Sequence, residues 1–319
     1  MSVAFGGATA RRDSGGLDDI RERVISGAFA AAATPLRQRG AELDEEALEP
    51  LVQFLVGAEL SGILALGTTG EGIALSLTER RRVAELYIRL APAEFQVLVH
   101  CGAQTTADTV SLAAFSAEQG AAGIAVIAPP YFPLDERSLF DHFLEAARAC
   151  APTPFYVYEL ERASGYAVPP SVILRLRESA PNLTGLKVSD TPWERFAPCL
   201  IEGLDVFVGA EGLIHRARAA GAAGAVSALA TAFPEAVVQA VRTGEEASTQ
   251  ALAELRASVE RYPRHSVLKY VLARRGIPIQ EDVRAPLRGL TNDERREVED
   301  LFPRWAELAG LDAGVAAHS

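Results

Sequence analysis

From about residue 27 the chain repeats one pattern eight times: a short apolar, β-prone run, then a longer amphipathic stretch. The strand candidates are 27–33, 62–66, 96–100, 123–128, 155–160, 183–188, 205–210 and 224–229. The helix candidates are 45–58, 77–90, 106–119, 135–149, 169–178, 191–201, 211–220 and 233–242. Eight β-then-α units in series imply a parallel sheet with right-handed crossovers. Runs such as QVLVH and GIAVIA are continuously apolar, as strands covered on both faces must be. Eight such units close most naturally into a TIM (β/α)8 barrel, with an open doubly wound sheet as the alternative.

Boundary chemistry supports the alternation. Ser76-Leu77-Thr78-Glu79 has capping-box spacing, and Thr105 and Thr106 are positioned to cap the helix after the third strand. Pro169-Pro170 and Pro234 fall where first-turn prolines belong. After about residue 243 only helical patterns follow, at 245–260, 264–275 and 292–309. The expected organisation is a flexible N-terminal arm (1–26), a barrel (27–243) and a C-terminal helical extension (244–319). The extension would pack on the barrel or on a neighbouring subunit.

A net charge of −11 repels phosphate backbones and argues against nucleic-acid binding. It leaves room for a small anionic substrate, because local groups can reverse the field inside a pocket. The three cysteines, Cys101, Cys150 and Cys199, have no metal-ligand spacing and read as reduced thiols of a cytoplasmic protein. The five histidines, His100, His142, His215, His265 and His318, show no HxxxH or HxH spacing, so neither a metal nor any other cofactor is expected. No apolar run approaches the roughly 20 residues of a membrane span.

In a barrel the chemistry gathers at the C-terminal ends of the strands. The sixth strand, LTGLKV, sets Lys187 in an apolar run, where burial lowers an amine's pKa and frees it as a nucleophile; an ion-paired strand-end lysine is the alternative. Tyr158 ends the fifth strand, one strand spacing away, where a phenol can relay protons. Tyr156 lies on the same face but deeper. The second strand runs into Gly67-Thr68-Thr69-Gly70-Glu71, a tight turn whose N–H groups and hydroxyls suit a carboxylate.

These segments resemble the dihydrodipicolinate synthase / N-acetylneuraminate lyase family of pyruvate-dependent class I aldolases. The likeness runs from about Ala32 to Leu290. It is carried by Ala33-Thr34-Pro35 with Asp44, the Gly67–Glu71 loop, Gly102, Pro130-Tyr131, Tyr158 and Gly185-Leu186-Lys187. It continues through Gly209, Gly224 to Ser227, Lys269, Gly276, Arg284 and Pro286-Leu287. The resemblance implies that Lys187 forms an imine with a 2-oxo acid, Tyr158 stands over that imine, and Thr68 joins its proton relay. Thr69 and Gly70 would hold the substrate carboxylate, with Gly209 and the backbone carbonyl of Val226 lining the pocket. It also implies a homodimer or homotetramer.

Departures from the family pattern bear on substrate. Glu159 and Glu161 replace an Asn and a Pro, Ala163 takes the place of a substrate-binding Arg, and Arg162 stands one residue early. Arg162 would reach the substrate only through a remodelled loop. Phe132 replaces a tyrosine that the family's synthases donate across a subunit interface, and it cannot relay a proton. Loss of that Arg and Tyr argues against true dihydrodipicolinate synthase activity. Glu159 and Glu161 read either as contacts to a partner with hydroxyl or amine groups or as solvated loop residues. Glu211 falls near where sialic-acid lyases place sugar-binding carboxylates. The expected function is a Schiff-base lyase or aldolase acting on pyruvate or a related 2-oxo acid. The alternatives are a sugar-acid 2-oxo-3-deoxy aldolase or dehydratase, and a 2-oxo-acid-binding barrel without turnover. A metal-dependent aldolase lacks the ligand spacing it would need.

Overall fold

The computed structural model describes residues 25–311. Eight parallel strands close a barrel in sequence order: β1 (Gly27–Ala31), β2 (Gly62–Ala65), β3 (Gln96–His100), β4 (Gly123–Ile127), β5 (Phe155–Glu159), β6 (Leu183–Val188), β7 (Asp205–Val208) and β8 (Gly224–Ser227). The barrel closes where Gly27 pairs with Gly224 and Phe29 with Val226. The closed barrel, rather than the open sheet, is the architecture of this chain. Of the expected N-terminal arm, residues 1–24 lie outside the described residues, as does His318.

Helices follow the strands: α1 (Leu48–Gly57), α2 (Leu77–Leu90), α3 (Thr106–Glu118), α4 (Glu136–Cys150), α5 (Pro170–Ser179), α6 (Trp193–Phe196), α7 (Ile214–Ala219) and α8 (Pro234–Thr243). Ser76 and Glu79 form the expected capping box at α2, and Thr105 accepts the Asp108 N–H at α3. The stretch expected as a helix over 191–201 makes only one α-turn and then a 3-10 turn at Ala197–Cys199. Pro192 and Pro198 explain this, since a proline inside a helix removes a donor and clashes with the preceding turn. Three more helices, α9 (Glu246–Val259), α10 (Arg264–Arg274) and α11 (Asn292–Leu308), complete the described chain.

Side chains sort by strand parity. Ala28, Ala30, Ile63, Val97, Val99, Ile124 and Val126 face the surrounding helices in one continuous core. Phe29, Leu64, Leu98, Ala125, Tyr156, Phe207 and Val226 fill the barrel interior. Phe29 and Tyr156 each meet Phe207 edge-on, with ring centres 5.5 and 6.0 Å apart. This plug closes the lower barrel, so a ligand can approach only from the C-terminal strand ends. No helix among the described residues is long and apolar enough to cross a membrane.

Candidate active site

The β5–β6 register sets Tyr158 directly opposite Lys187. The Lys187 side chain is buried, its Nζ lies 3.9 Å from the centre of the Tyr158 ring, and it donates to Ser189 Oγ. Burial holds its pKa below the ordinary lysine value, against the pull of Tyr158 and the more distant Glu211. Its neighbours are hydroxyls and a ring face; no carboxylate pairs with it among the described residues. Burial opposes ionisation of Tyr158, but the Lys187 charge and the Thr68 hydroxyl outweigh it and bring the phenol below its usual range.

A hydroxyl chain continues from the phenol. Tyr158 Oη and Thr68 Oγ1 are 3.1 Å apart. His265 Nε2–H donates to the Thr68 carbonyl at 2.9 Å. His100, at the end of β3, meets the Tyr158 ring edge-on at 5.7 Å and donates from Nδ1 to the Leu66 carbonyl at 3.0 Å. Burial drives the His100 pKa down to about 3, so the ring is neutral. Tyr156 sits one layer lower in the aromatic plug, and burial pushes its phenol well above the usual range. Of the two phenols, Tyr158 lines the chamber with Lys187 and Tyr156 does not.

The Gly67–Glu71 loop is pinned from beneath. Leu66 and Glu71 flank it in the left-handed region, at φ 61° and 56°. Such a conformation costs a non-glycine residue about 1–2 kcal/mol. The Glu71 side chain is fully buried; Oε1 takes Lys269 Nζ at 2.6 Å and Oε2 takes the Arg284 N–H at 2.6 Å. Thr34 Oγ1 donates to the Gly70 carbonyl at 2.6 Å. So fixed, the loop leaves the N–H groups of Thr69 and Gly70 without a hydrogen-bond partner among the described residues.

Gly67, Thr68, Thr69, Tyr158, Arg162, Lys187, Gly209 and Val226 all line one small chamber. Gly70 does not line it; its carbonyl is taken by Thr34 Oγ1. At Gly209 a Cβ would fall 2.0 Å from Ser189 Oγ and 3.0 Å from Lys187 Nζ, so only glycine leaves the amine its space. Arg162 stands on the helical turn Glu161–Ser164 and lines the chamber.

Two expectations are corrected. Glu159 follows Tyr158 and so faces away from the barrel; it is buried and accepts the Val168 N–H at 3.0 Å. Burial and the adjacent Asp190 carboxyl push it up to about 8. Glu161 ion-pairs with Arg195 at the surface. Neither glutamate is a partner-binding group in the chamber. Glu211 is likewise committed: Oε1 accepts from Ser227 Oγ at 2.6 Å and from the Leu229 N–H at 3.2 Å, while Oε2 binds Arg256 at 2.5 Å. Both of its oxygens are engaged by the protein, which makes it the fixed counter-charge of Arg256.

The residues that sequence reasoning missed are Ser189, His100, His265, Arg256 and Arg264. Ser189 was reachable, being two residues beyond Lys187 on the same strand face. So was His100, which shares the inward parity of Leu98. The other three come from the C-terminal helices, and no local pattern says that those helices reach over the barrel mouth. No cluster of His, Cys, Asp or Glu suited to a metal ion occurs among the described residues.

Residues 24–304 match the model of the dihydrodipicolinate synthetase family. A 4-hydroxy-tetrahydrodipicolinate synthase of Thermus thermophilus is 32% identical over 298 residues, covering 90% of this chain and 97% of the relative. The N-acetylneuraminate lyase of Rattus norvegicus is 36% identical over 183 residues, 56% of this chain and 57% of that enzyme. A solved N-acetylneuraminate lyase from Proteus mirabilis superposes with a TM-score of 0.79 at 26% identity, covering 89% of this chain and 99% of that one. A prophage protein of the dihydrodipicolinic acid synthase family from E. coli K12, solved with pyruvate, shares the fold with a TM-score of 0.83 at 23% identity, over 88% of this chain and 99% of that one.

Proposed function

This chain belongs to the dihydrodipicolinate synthetase family, and on that premise we propose that it is a class I lyase working through an imine on Lys187. The observation that carries this reading is the pairing of a buried, carboxylate-free amine with a phenol on the neighbouring strand. The Lys187 amine attacks the ketone carbon of pyruvate or of a longer 2-oxo acid. Tyr158, joined to Thr68, protonates the carbinolamine oxygen as water leaves and the imine forms. The N–H groups of Thr69 and Gly70 receive the substrate carboxylate, as unpaired donors of a tight turn do.

For a 4-hydroxy-2-oxo acid, a base takes the C4 hydroxyl proton and the C3–C4 bond breaks. Its electron pair passes into the imine to give an enamine, and the distal half leaves as an aldehyde. Protonation of the enamine at C3 and hydrolysis return pyruvate and the free amine. Condensation runs the same steps backwards. Phe132 contributes no proton to this scheme. It lies exposed beside Tyr131, the rings edge-on with centres 4.7 Å apart, and this pair is the face through which we expect copies of the chain to associate.

The test is exchange of the pyruvate methyl hydrogens in D2O, which requires the enamine and no second substrate. The wild-type protein should deuterate pyruvate, and Lys187→Arg should not. Tight pyruvate binding without exchange would instead favour a binding barrel without turnover.

A further inference from the structure

Outside the chamber lies a second cavity of about 680 Å3. The two share Arg162, Ser189, Arg256 and Arg264. On the chamber side, the Gly209 carbonyl accepts from the shared Arg256 Nη1 at 3.3 Å, and the glycine leaves the Lys187 amine its space. A substrate held at Lys187 therefore extends its far end past three guanidinium groups.

Those groups have hydrogen-bonding capacity left over. Buried Glu211 fixes Arg256 from one side, and Glu260 Oε1 takes both Arg256 Nε and Arg264 Nη1 at 3.1 Å. Two carboxylates thus serve two of the three guanidiniums, and none serves Arg162. Nη2 of Arg256 and of Arg264 has no partner among the described residues, and Arg264 Nε is buried without one. Arg162 makes no ion pair or hydrogen bond among them. A guanidinium presents five donors in a planar fork matched to carboxylate and phosphate oxygens. In a chain of net charge −11, a concave mouth with cationic donors to spare is a local reversal of field.

We propose that this outer cavity is an anion subsite, built by Arg162 with Arg256 and Arg264 of the C-terminal helices, that selects 2-oxo acids whose far end carries a carboxylate or phosphate. The proposal rests on the Schiff-base reading above and deepens it. Glu159 and Glu161 do not line this cavity, and the two glutamates that do, Glu211 and Glu260, are bound to Arg256 and Arg264, so the donors left over are those of the arginines.

Cleavage of two matched substrate pairs tests it. One pair is 4-hydroxy-2-oxoglutarate against 4-hydroxy-2-oxopentanoate, a carboxylate against a methyl. The other is 2-oxo-3-deoxygluconate 6-phosphate against its unphosphorylated form. In at least one pair the anionic member should have the higher kcat/KM, by about tenfold or more. The pair that shows the preference identifies carboxylate or phosphate. Arg162→Gln and Arg264→Gln should each lower kcat/KM for the anionic member several-fold more than for the neutral one, erasing most of that preference. Arg162 is exposed, so its variant keeps the test valid if Arg264→Gln fails to fold. Equal or better cleavage of the neutral member in both pairs would overturn the proposal. So would inertness toward all four compounds, or variants that slow both members alike. Pyruvate deuteration, run alongside, separates the two failures: without exchange the Schiff-base reading falls and takes the subsite with it, whereas exchange without anion preference removes the subsite alone.

Discussion

Lys187 and Lys269 are both buried lysines, and they sit in opposite electrostatic settings. Lys269 Nζ lies 2.6 Å from Glu71 Oε1 and donates to the Asp282 carbonyl at 2.6 Å. It is a cation with a dedicated anion, and it ties α10 to the loop beneath the chamber. Lys187 meets only the Ser189 hydroxyl and the Tyr158 ring. Burial lowers both pKa values, but only Lys269 has a carboxylate in contact to hold its charge in place. An amine left without an anion in a dry chamber is available for chemistry, whereas one paired with a carboxylate is a structural tie.

Substitutions can break this contrast. The largest effect should fall on Lys187→Arg, which keeps the charge but loses the nucleophile; turnover should drop by about 10³-fold or more in a steady-state assay. Activity near normal would sink the assignment. Next is Lys269→Met, which leaves Glu71 buried and unpaired and should cost about 3–5 kcal/mol in chemical denaturation. Its counterpart Lys187→Met should match or exceed wild-type stability near neutral pH. A lysine whose folded pKa is depressed loses stability as pH falls through that value, and methionine removes the penalty. Equal destabilisation by the two would erase the distinction between the lysines.

Tyr158→Phe should lower kcat about 10²-fold with little change in KM, while Tyr156→Phe, deep in the plug, should leave kcat intact. An effect of Tyr158→Phe confined to KM would contradict the relay role. The smallest effect concerns Glu159. Its pKa is raised from the carboxylate range to about 8, so its contribution to stability is full below its ordinary value of 4.5 and is lost as pH rises through about 8. Thermal melts should show wild-type Tm falling across that window by more than Glu159→Gln does. Parallel curves would mean that Glu159 does not titrate there.

Much of this was legible in the sequence because the barrel is built from local, repeated signals. Hydrophobic texture located the eight barrel strands but not the small Leu36–Arg37/Glu42–Leu43 ribbon, and Ser76 with Glu79 or Pro234 marked helix starts at the residue level. The strand-end rule then singled out Lys187, Tyr158 and the Gly67–Glu71 loop before any geometry was known. Non-local decisions were not legible. Whether Glu159 entered the chamber depended on parity at the last residue of β5, and a loop residue can obey or break that parity. That Glu71 would be buried with Lys269, or that Arg256 and Arg264 would stand over the mouth, depended on how helices distant in sequence fold back onto the rim. Charge in a loop records a charge and not the partner it will meet.

Borohydride reduction in the presence of pyruvate, followed by peptide mapping, tests the central claim most directly, because it asks both lysines the same question in one sample. The account predicts a single reduced pyruvyl adduct on Lys187 and none on Lys269. An adduct on Lys269, or an unmodified Lys187 in protein that still turns over substrate, would contradict it.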